Sequence, residues 1–416
     1  MERSALHFTG LEASLVRAGE KRDERPRENV TRNSHPRSTE AGSDATRRRF
    51  LQAATVAGTG LASGCLGAAS GTGTTLTMGY QPFSAHAWEA LVMKHDDDLV
   101  DRHLPDDYSL EWQSALQGSV IANRISVGKN QVGWMGDMPA LVTIAQTETP
   151  ASLVGLANWS RGQQCNLLIV PQDSPIEQTA DIAGKSVGVT TGSCTHRYLL
   201  QVLDAEGIDV EIEDTSISTI LANLREGRIA AGLGWEPSVA KSVFQDDLTR
   251  YVSTGAEYDV IDAGGIPMTD DLIENHYEAA KGIMKAELEA TRIQATDRQR
   301  TLDLVQEEED LRYFNRSSLN WGEYRPPPIV ENVERLQFAT DFERATEPGR
   351  LMKETAPQFL TDQGALDAPP ADDRYKPGVL DDAAAELAEE VEWSPRQAGN
   401  GSSNGSAGTD VSEAMR

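Results

Sequence analysis

Short apolar strands alternating with amphipathic helices, in two successive series, predict an α/β fold built as two lobes with a cleft between them. Two further observations point the same way. At 416 residues the chain is long enough for two domains or for one two-lobed unit. Four strand ends also carry residues that a simple connection does not need: Gln81–His86 and Gly136–Met138 in the first series, Thr191–His196 and Trp235-Glu236 in the second. Ligands of open parallel sheets collect at the carboxyl ends of strands. Crossovers near Trp159–Cys165 and Thr254–Asp259 bring all four ends to one cleft, and hinge closure seals such a cleft around a small ligand.

Residues 1–45 form a polar segment, rich in Arg, Glu, Ser and Asn, that lacks periodicity and reads as disordered. An export signal begins only after them, so residues 1–45 are expected to be an extension that need not belong to the translated protein. Residues 46–65 hold that signal: Arg47-Arg48-Arg49 precede a mild apolar run from Phe50 to Gly64, the pattern of a twin-arginine signal. Fifteen Gly/Thr-rich residues are too few to span a bilayer. The run ends Leu61-Ala62-Ser63-Gly64-Cys65, which resembles a lipoprotein processing site with Cys65 as the lipid-bearing residue, although Ala62 stands where Leu is usual. A Gly/Ser/Thr linker (66–75) then separates the anchor from the body.

The first lobe is expected over 76–164. Its strands are Thr75–Tyr80, Tyr108–Gln113, Gln131–Trp134 and Ser152–Asn158; its helices begin at Ala87, Ser119 and Ala140. The second lobe, 165–254, has strands Cys165–Val170, Ser186–Val189, Val210–Glu213 and Ala230–Leu233. Its first helix follows Ser193. Tyr198, Leu199, Val202 and Leu203 give that helix one apolar face, Ser193 caps its start and Gly207 stops it. Residues 255–395 return one strand (Asp259–Ala263) to the first lobe and continue as helices over Asp270–Ala295, Asp297–Glu309 and Pro328–Arg344. Residues 396–416 are Gly/Ser/Asn-rich and read as a disordered tail.

Charge narrows the function. Residues 66–416 carry 27 Lys/Arg against 57 Asp/Glu, and the whole chain has nine lysines. Such a surface repels nucleic acid and anionic lipid headgroups, so neither is an expected partner. Acidic excess with scarce lysine is also what adaptation to high salt produces, because screening tolerates the self-repulsion. The three cysteines, Cys65, Cys165 and Cys194, form no Cys-x-x-Cys pair, so neither a zinc site nor any other metal is expected. A Cys165–Cys194 disulfide is permissible outside the cell, but sequence does not give their separation.

Four motifs stand in order: Gly79-Tyr80-Gln81-Pro82, Val132-Gly133-Trp134-Met135-Gly136-Asp137-Met138-Pro139-Ala140, Asp181-Ile182-Ala183-Gly184-Lys185-Ser186-Val187-Gly188-Val189, and Ala231-Gly232-Leu233-Gly234-Trp235-Glu236-Pro237. Through them the chain resembles the solute-binding proteins of the nitrate/sulfonate/taurine ABC-importer family over roughly residues 75–290. The resemblance implies the two-lobed type II periplasmic-binding-protein fold. It also implies capture of a small solute outside the cell, delivery to permease subunits driven by a cytoplasmic ATPase, and no chemistry or cofactor of the protein's own. A lipid-anchored monomer at the outer face of the cytoplasmic membrane is the expected form.

The residues expected at the ligand follow from the strand ends. Thr191, Ser193 and Thr195 offer hydroxyls beside the free N–H groups of a helix start, a ready oxyanion site; each also serves as an ordinary helix cap. His196 adds a donor or a charge, while Arg197 is expected to face solvent. Trp235 walls the cleft, as does Trp88, and Gln81, His86, Gly136 and Met138 complete it. Asp137 and Glu236 repel a bare inorganic anion but attract an ammonium, so a zwitterion such as taurine is the favoured solute if both face the cleft. The competing reading is a cysteine-dependent enzyme with Cys194 activated by the helix start; His196, two residues away, does not share a helix face with it. A surface adhesin is a third reading.

Overall fold

The structure is a computed structural model that describes residues 73–145, 149–319 and 347–390. The export signal, Cys65 as lipid attachment site, most of the linker, the helix expected over Pro328–Arg344 and the tail lie outside the described residues.

Two mixed sheets organise the described residues. In the first, the strands run β2 (Tyr108–Ser114), β1 (Thr74–Tyr80), β3 (Val132–Gly133), β11 (Asp262–Thr269) and β4 (Met135–Gly136), with β5 (Ala151–Ser160) also paired to β11. β1 is parallel to β2 and β3, whereas β11 returns antiparallel to β3, β4 and β5. The second sheet runs β10 (Thr249–Thr254), β6 (Leu167–Pro171), β9 (Ala231–Gly234), β7 (Ser186–Val189) and β8 (Glu211–Asp214). β7 is parallel to β8 and β9, and β6 is antiparallel to both β9 and β10. The whole second sheet is thus inserted between β5 and β11, and the chain crosses between lobes twice.

Local sequence accounts for these elements. β1 buries Leu76, Met78 and Tyr80 at every second position, the period of a pleated strand. β5 and β11 are buried along their full length, as strands covered on both faces must be. α1 (Trp88–His95), α2 (Gly118–Ser126) and α3 (Asp137–Ala145) belong to the first series, and α4 (Cys194–Glu206) and α5 (Ile217–Arg225) to the second. α4 has Ser193 as its N-cap, with Oγ accepting from His196 N, and ends at Gly207 in the left-handed region (φ 64°).

Several boundaries differ from expectation. α3 begins at Asp137 rather than Ala140, because Pro139 sits in the first turn, where its missing N–H leaves no helical bond unmade. The strand expected over Gln131–Trp134 is two short strands that part at Trp134: β3 pairs with β1, and β4 pairs with β11. The expected strand Asp259–Ala263 starts later and runs longer, as β11, and β10 was not foreseen.

The remaining helices pack on the first lobe. α6 (Tyr277–Thr296) and α7 (Arg298–Glu307) join α1 in one core that includes Leu91, Ile283, Met284, Leu302 and Val305. α8 (Ala356–Asp362) adds Leu360 to the core beneath α3. α9 (Gly378–Glu390) is tied to α6 through Glu386, whose carboxylate meets Lys281 at 2.5 Å and Lys285 at 2.8 Å.

Candidate functional site

The carboxyl ends of both sheets face one cavity of about 200 Å3. The starts of three helices reach it: Gln117, Gly118 and Ser119 at α2, Asp137, Met138 and Pro139 at α3, and Thr190–Cys194 at α4. First-turn N–H groups have no intrahelical acceptor and lie at the positive end of the helix dipole, so these starts favour an anion. Gly118 is what lets α2 and α3 converge. A Cβ there would stand 2.5 Å from Pro139 Cγ and 2.9 Å from Gln81 Oε1.

Of the residues expected at the ligand, Gln81, His86, Gly136, Asp137, Met138, Thr191, Ser193 and Trp235 line the cavity. Thr195, His196 and Glu236 do not. A helix turns by about 100° per residue, so after Cys194 the α4 side chains rotate away from the cleft. Thr195 is fully buried with Oγ1 2.7 Å from Ser193 Oγ. His196 accepts from Gly192 N at 3.3 Å and packs edge-on against Phe359 of α8. Burial holds its imidazole below the usual range, against the charge of Asp214.

Glu236 follows Trp235 beyond the end of β9, and consecutive residues of extended chain point opposite ways. Its carboxylate accepts from Ala240 N at 2.7 Å and from Tyr251 Oη at 2.8 Å. Glu236 is therefore a buried anchor, not a wall of the cleft. Trp88, also expected at the wall, is in the core of the first lobe.

Asp137 lines the cavity, but its carboxylate is engaged. Oδ1 accepts from Met138 N at 2.8 Å, and Oδ2 stands 3.5 Å from Arg197 Nη2. Burial pushes this carboxyl above the usual range, while the charges of Arg197 and His86 pull it down. Arg197, expected in solvent, is 3% exposed; its Nη2 also donates to Ile261 O at 2.8 Å. With both carboxylates committed to protein partners, the case for an ammonium-bearing solute loses its motivation.

The two crossovers meet behind the cavity. Asp262, at the start of β11, accepts from Ser160 Oγ at 2.7 Å, from Gln164 N at 3.2 Å and from Cys165 N at 2.8 Å. His86 Nε2 stands 3.4 Å from the same carboxylate. One carboxylate thus fastens the outgoing crossover to the returning strand. Gly255 N donates to Gly162 O at 3.1 Å, and a Cβ on Gly162 would meet Gly255 at 2.5 Å, so the two backbones touch. The lobes also meet directly, through Ala85 N–H donating to Glu236 O at 2.9 Å.

Cys165 and Cys194 both line the cavity and are joined in a disulfide. β6 runs antiparallel to β9, which puts its start, and Cys165 with it, beside the end of β9 at Gly234. The bridge packs with Trp235 and Ile217. Neither sulfur is a free thiol, which removes the nucleophile from the cysteine-enzyme reading.

Residues that sequence reasoning missed are Gln117, Ser119, Asn123 and Asp262, while Ser84 falls within the Gln81–His86 strand end. Gln117 and Ser119 follow β2, a fifth strand end that the strand-end rule covers equally well. Asp262 carried no local signal, because its partners lie about 100 residues away. Among the described residues no group of three or more His, Cys, Asp or Glu could hold a metal ion, and no helix is long and apolar enough to cross a membrane.

Comparison with known proteins agrees with this architecture. Residues 118–300 match the family model described as NMT1/THI5 like. A protein of Escherichia coli (strain K12) named for binding aliphatic sulfonates is 24% identical over 181 residues, 43% of this chain. That match spans about half (54%) of the relative's length. Among solved structures, the periplasmic aliphatic sulphonate binding protein SsuA from Escherichia coli superposes with a TM-score of 0.57 at 17% identity, covering 72% of this chain and 91% of that one. The desulfurization enzyme DSZB superposes with a TM-score of 0.54 at 18% identity, covering 75% and 99%. The fold is therefore the two-lobed α/β fold of the periplasmic binding proteins, which carries both binders and an enzyme.

Proposed function

We propose that this protein is the extracytoplasmic solute-binding component of an ABC importer. In this reading it captures a small oxyanion of the sulfonate, taurine and nitrate class and delivers it to permease subunits coupled to a cytoplasmic ATPase. The single observation that carries the reading is the convergence of three helix starts on one cavity between two lobes joined by paired crossovers. That geometry suits capture by closure. The likeness to sulfonate-binding proteins supports the same class of solute.

Binding without chemistry is the favoured role, because Cys194, the nucleophile of the competing reading, is held in a disulfide. The twin-arginine signal, lipid attachment at Cys65 and adaptation to high salt belong to this proposal on sequence grounds, as does a monomeric state. Calorimetry of the full chain against methanesulfonate, butane-1-sulfonate, taurine and nitrate tests it. Saturable one-to-one binding of at least one of these supports the reading, whereas the absence of heat with all four rejects it.

A further inference from the structure

The loop that leads into α4 faces the cavity with Thr190, Thr191, Gly192, Ser193 and Cys194. Three of its N–H groups fix the backbone, each given to a different acceptor. Thr191 N donates to Asp214 Oδ1 at 2.9 Å, Gly192 N to His196 Nδ1 at 3.3 Å and Ser193 N to Thr190 O at 3.3 Å. His196 lies behind this wall rather than on it, yet it holds the middle of the loop.

Only the neutral imidazole can do so. Nδ1 accepts through its lone pair when the ring proton is on Nε2, whereas in the imidazolium both nitrogens are donors. Nδ1–H would then point at Gly192 N–H. The cation would also sit in the first turn of α4, at the positive end of the helix dipole, in a buried site. All three effects act in one direction. The ring also lies edge-on to Phe359, centroids 5.7 Å apart. Phe359 packs against the first lobe, so this contact spans the cleft.

The charged groups around the ring do not reverse this. Asp214, at the end of β8, favours the cation, but burial outweighs it and holds the imidazole below its usual range. On α8, Asp362 accepts from Gln358 on the exposed side. Arg197, next along α4, is committed to Asp137 and Ile261 O. The sign of the pH dependence follows. A histidine held low while buried takes up a proton more readily once the lobes part or the loop moves. Acid therefore favours the released arrangement, increasingly as pH falls below the ordinary imidazole value of 6.5. Protonation of His86, on the cavity wall itself, would act the opposite way, because a cation there attracts an anion.

Resting on the solute-binding reading above, we infer that His196 is a positioning residue that orders the Thr191–Ser193 wall of the cleft only while its imidazole is neutral, so that acidification loosens that wall and releases the solute.

The test is calorimetry on the full chain with butane-1-sulfonate and nitrate at pH 7.5 and pH 5.0. Both probes stay singly charged over this range, so any change belongs to the protein. Native affinity is expected to fall by about fivefold or more at pH 5.0, within the limit of about tenfold per pH unit for one proton. His196→Asn places Oδ1 where Nδ1 stands and does not titrate, so it is expected to keep one affinity at both pH values. His196→Phe keeps a ring against Phe359 but has no acceptor. It is expected to bind about tenfold more weakly at pH 7.5 with an unchanged unfolding midpoint. In the solute-free protein, the Gly192 amide resonance should shift with the titration of His196. Affinity that holds or rises towards pH 5.0, or an undiminished pH dependence in His196→Asn, overturns the inference and leaves solute capture standing. A Gly192 resonance that ignores His196 overturns the positioning role. No heat with either probe at either pH defeats the solute-binding reading, and the Gly192 resonance then decides the positioning role by itself.

Discussion

Arg197 of α4 and Asp137 of α3 pair across the cleft, Nη2 to Oδ2 at 3.5 Å, with both side chains almost fully buried. One residue comes from each lobe, so the pair exists only while the lobes are together. Removing one partner of a buried pair leaves an uncompensated charge, which costs about 3–5 kcal/mol. Arg197→Met is expected to lose about that much stability in urea unfolding at pH 7.5. The double variant with Asp137→Asn should recover at least half, and strict additivity of the two single losses would show that the residues do not couple.

Glu236 tests the distinction between anchor and ligand contact. Its carboxylate holds Ala240 N and Tyr251 Oη, so Glu236→Gln keeps the shape but weakens both bonds. A loss of about 1–3 kcal/mol is expected, with solute affinity shifted less than threefold. A large affinity change at unaltered stability would return Glu236 to the ligand.

The Cys165–Cys194 bridge closes a loop with a sequence separation of 29. Chain-entropy arguments give such a crosslink about 3–4 kcal/mol. The double Cys→Ser variant should therefore unfold at a clearly lower denaturant midpoint, and thiol reagents should leave both sulfurs unmodified in the native oxidised protein. Modification of either at a stoichiometric level would contradict the bridge.

Acid stability should depend on Glu308. Burial alone would raise its carboxyl, but hydrogen bonds from His95 and Lys94 outweigh it and hold the group down at about 2. A carboxyl lowered on folding stabilises the native state above its unfolded value, near 4.5, and that contribution disappears as pH falls towards about 2. Melting temperature followed from pH 6 to pH 2 should fall more steeply in the native protein than in Glu308→Gln, which starts lower. Parallel curves would rule out this linkage.

Legibility in the sequence depended on the range of the cause. The start and stop of α4 were readable because Ser193 and Gly207 act on their own turn. Trp235 and Gln81 were readable as strand-end residues. Arg197 and Glu236 were misplaced because partners on other elements decide where each side chain goes: Ile261 O and Asp137 for one, Tyr251 for the other. The late helices α8 and α9 escaped notice for a similar reason. Their place is set by long-range contacts: Leu360 of α8 packs into the core beneath α3, and Glu386 of α9 pairs with Lys281 and Lys285 of α6.

The touching backbones at Gly162 and Gly255 bear on how the lobes can move at all. Two separate tethers would allow the lobes to twist, shear and part independently. Tethers joined at one point, with Asp262 clamping the segment beside it, keep the lobes from parting there and leave rotation about that joint. Opening is then a pivoting about that joint, and a spectroscopic distance between labels on α2 and α5 is expected to follow it. In the proposed importer, a permease that contacts both lobes would sense that same pivoting.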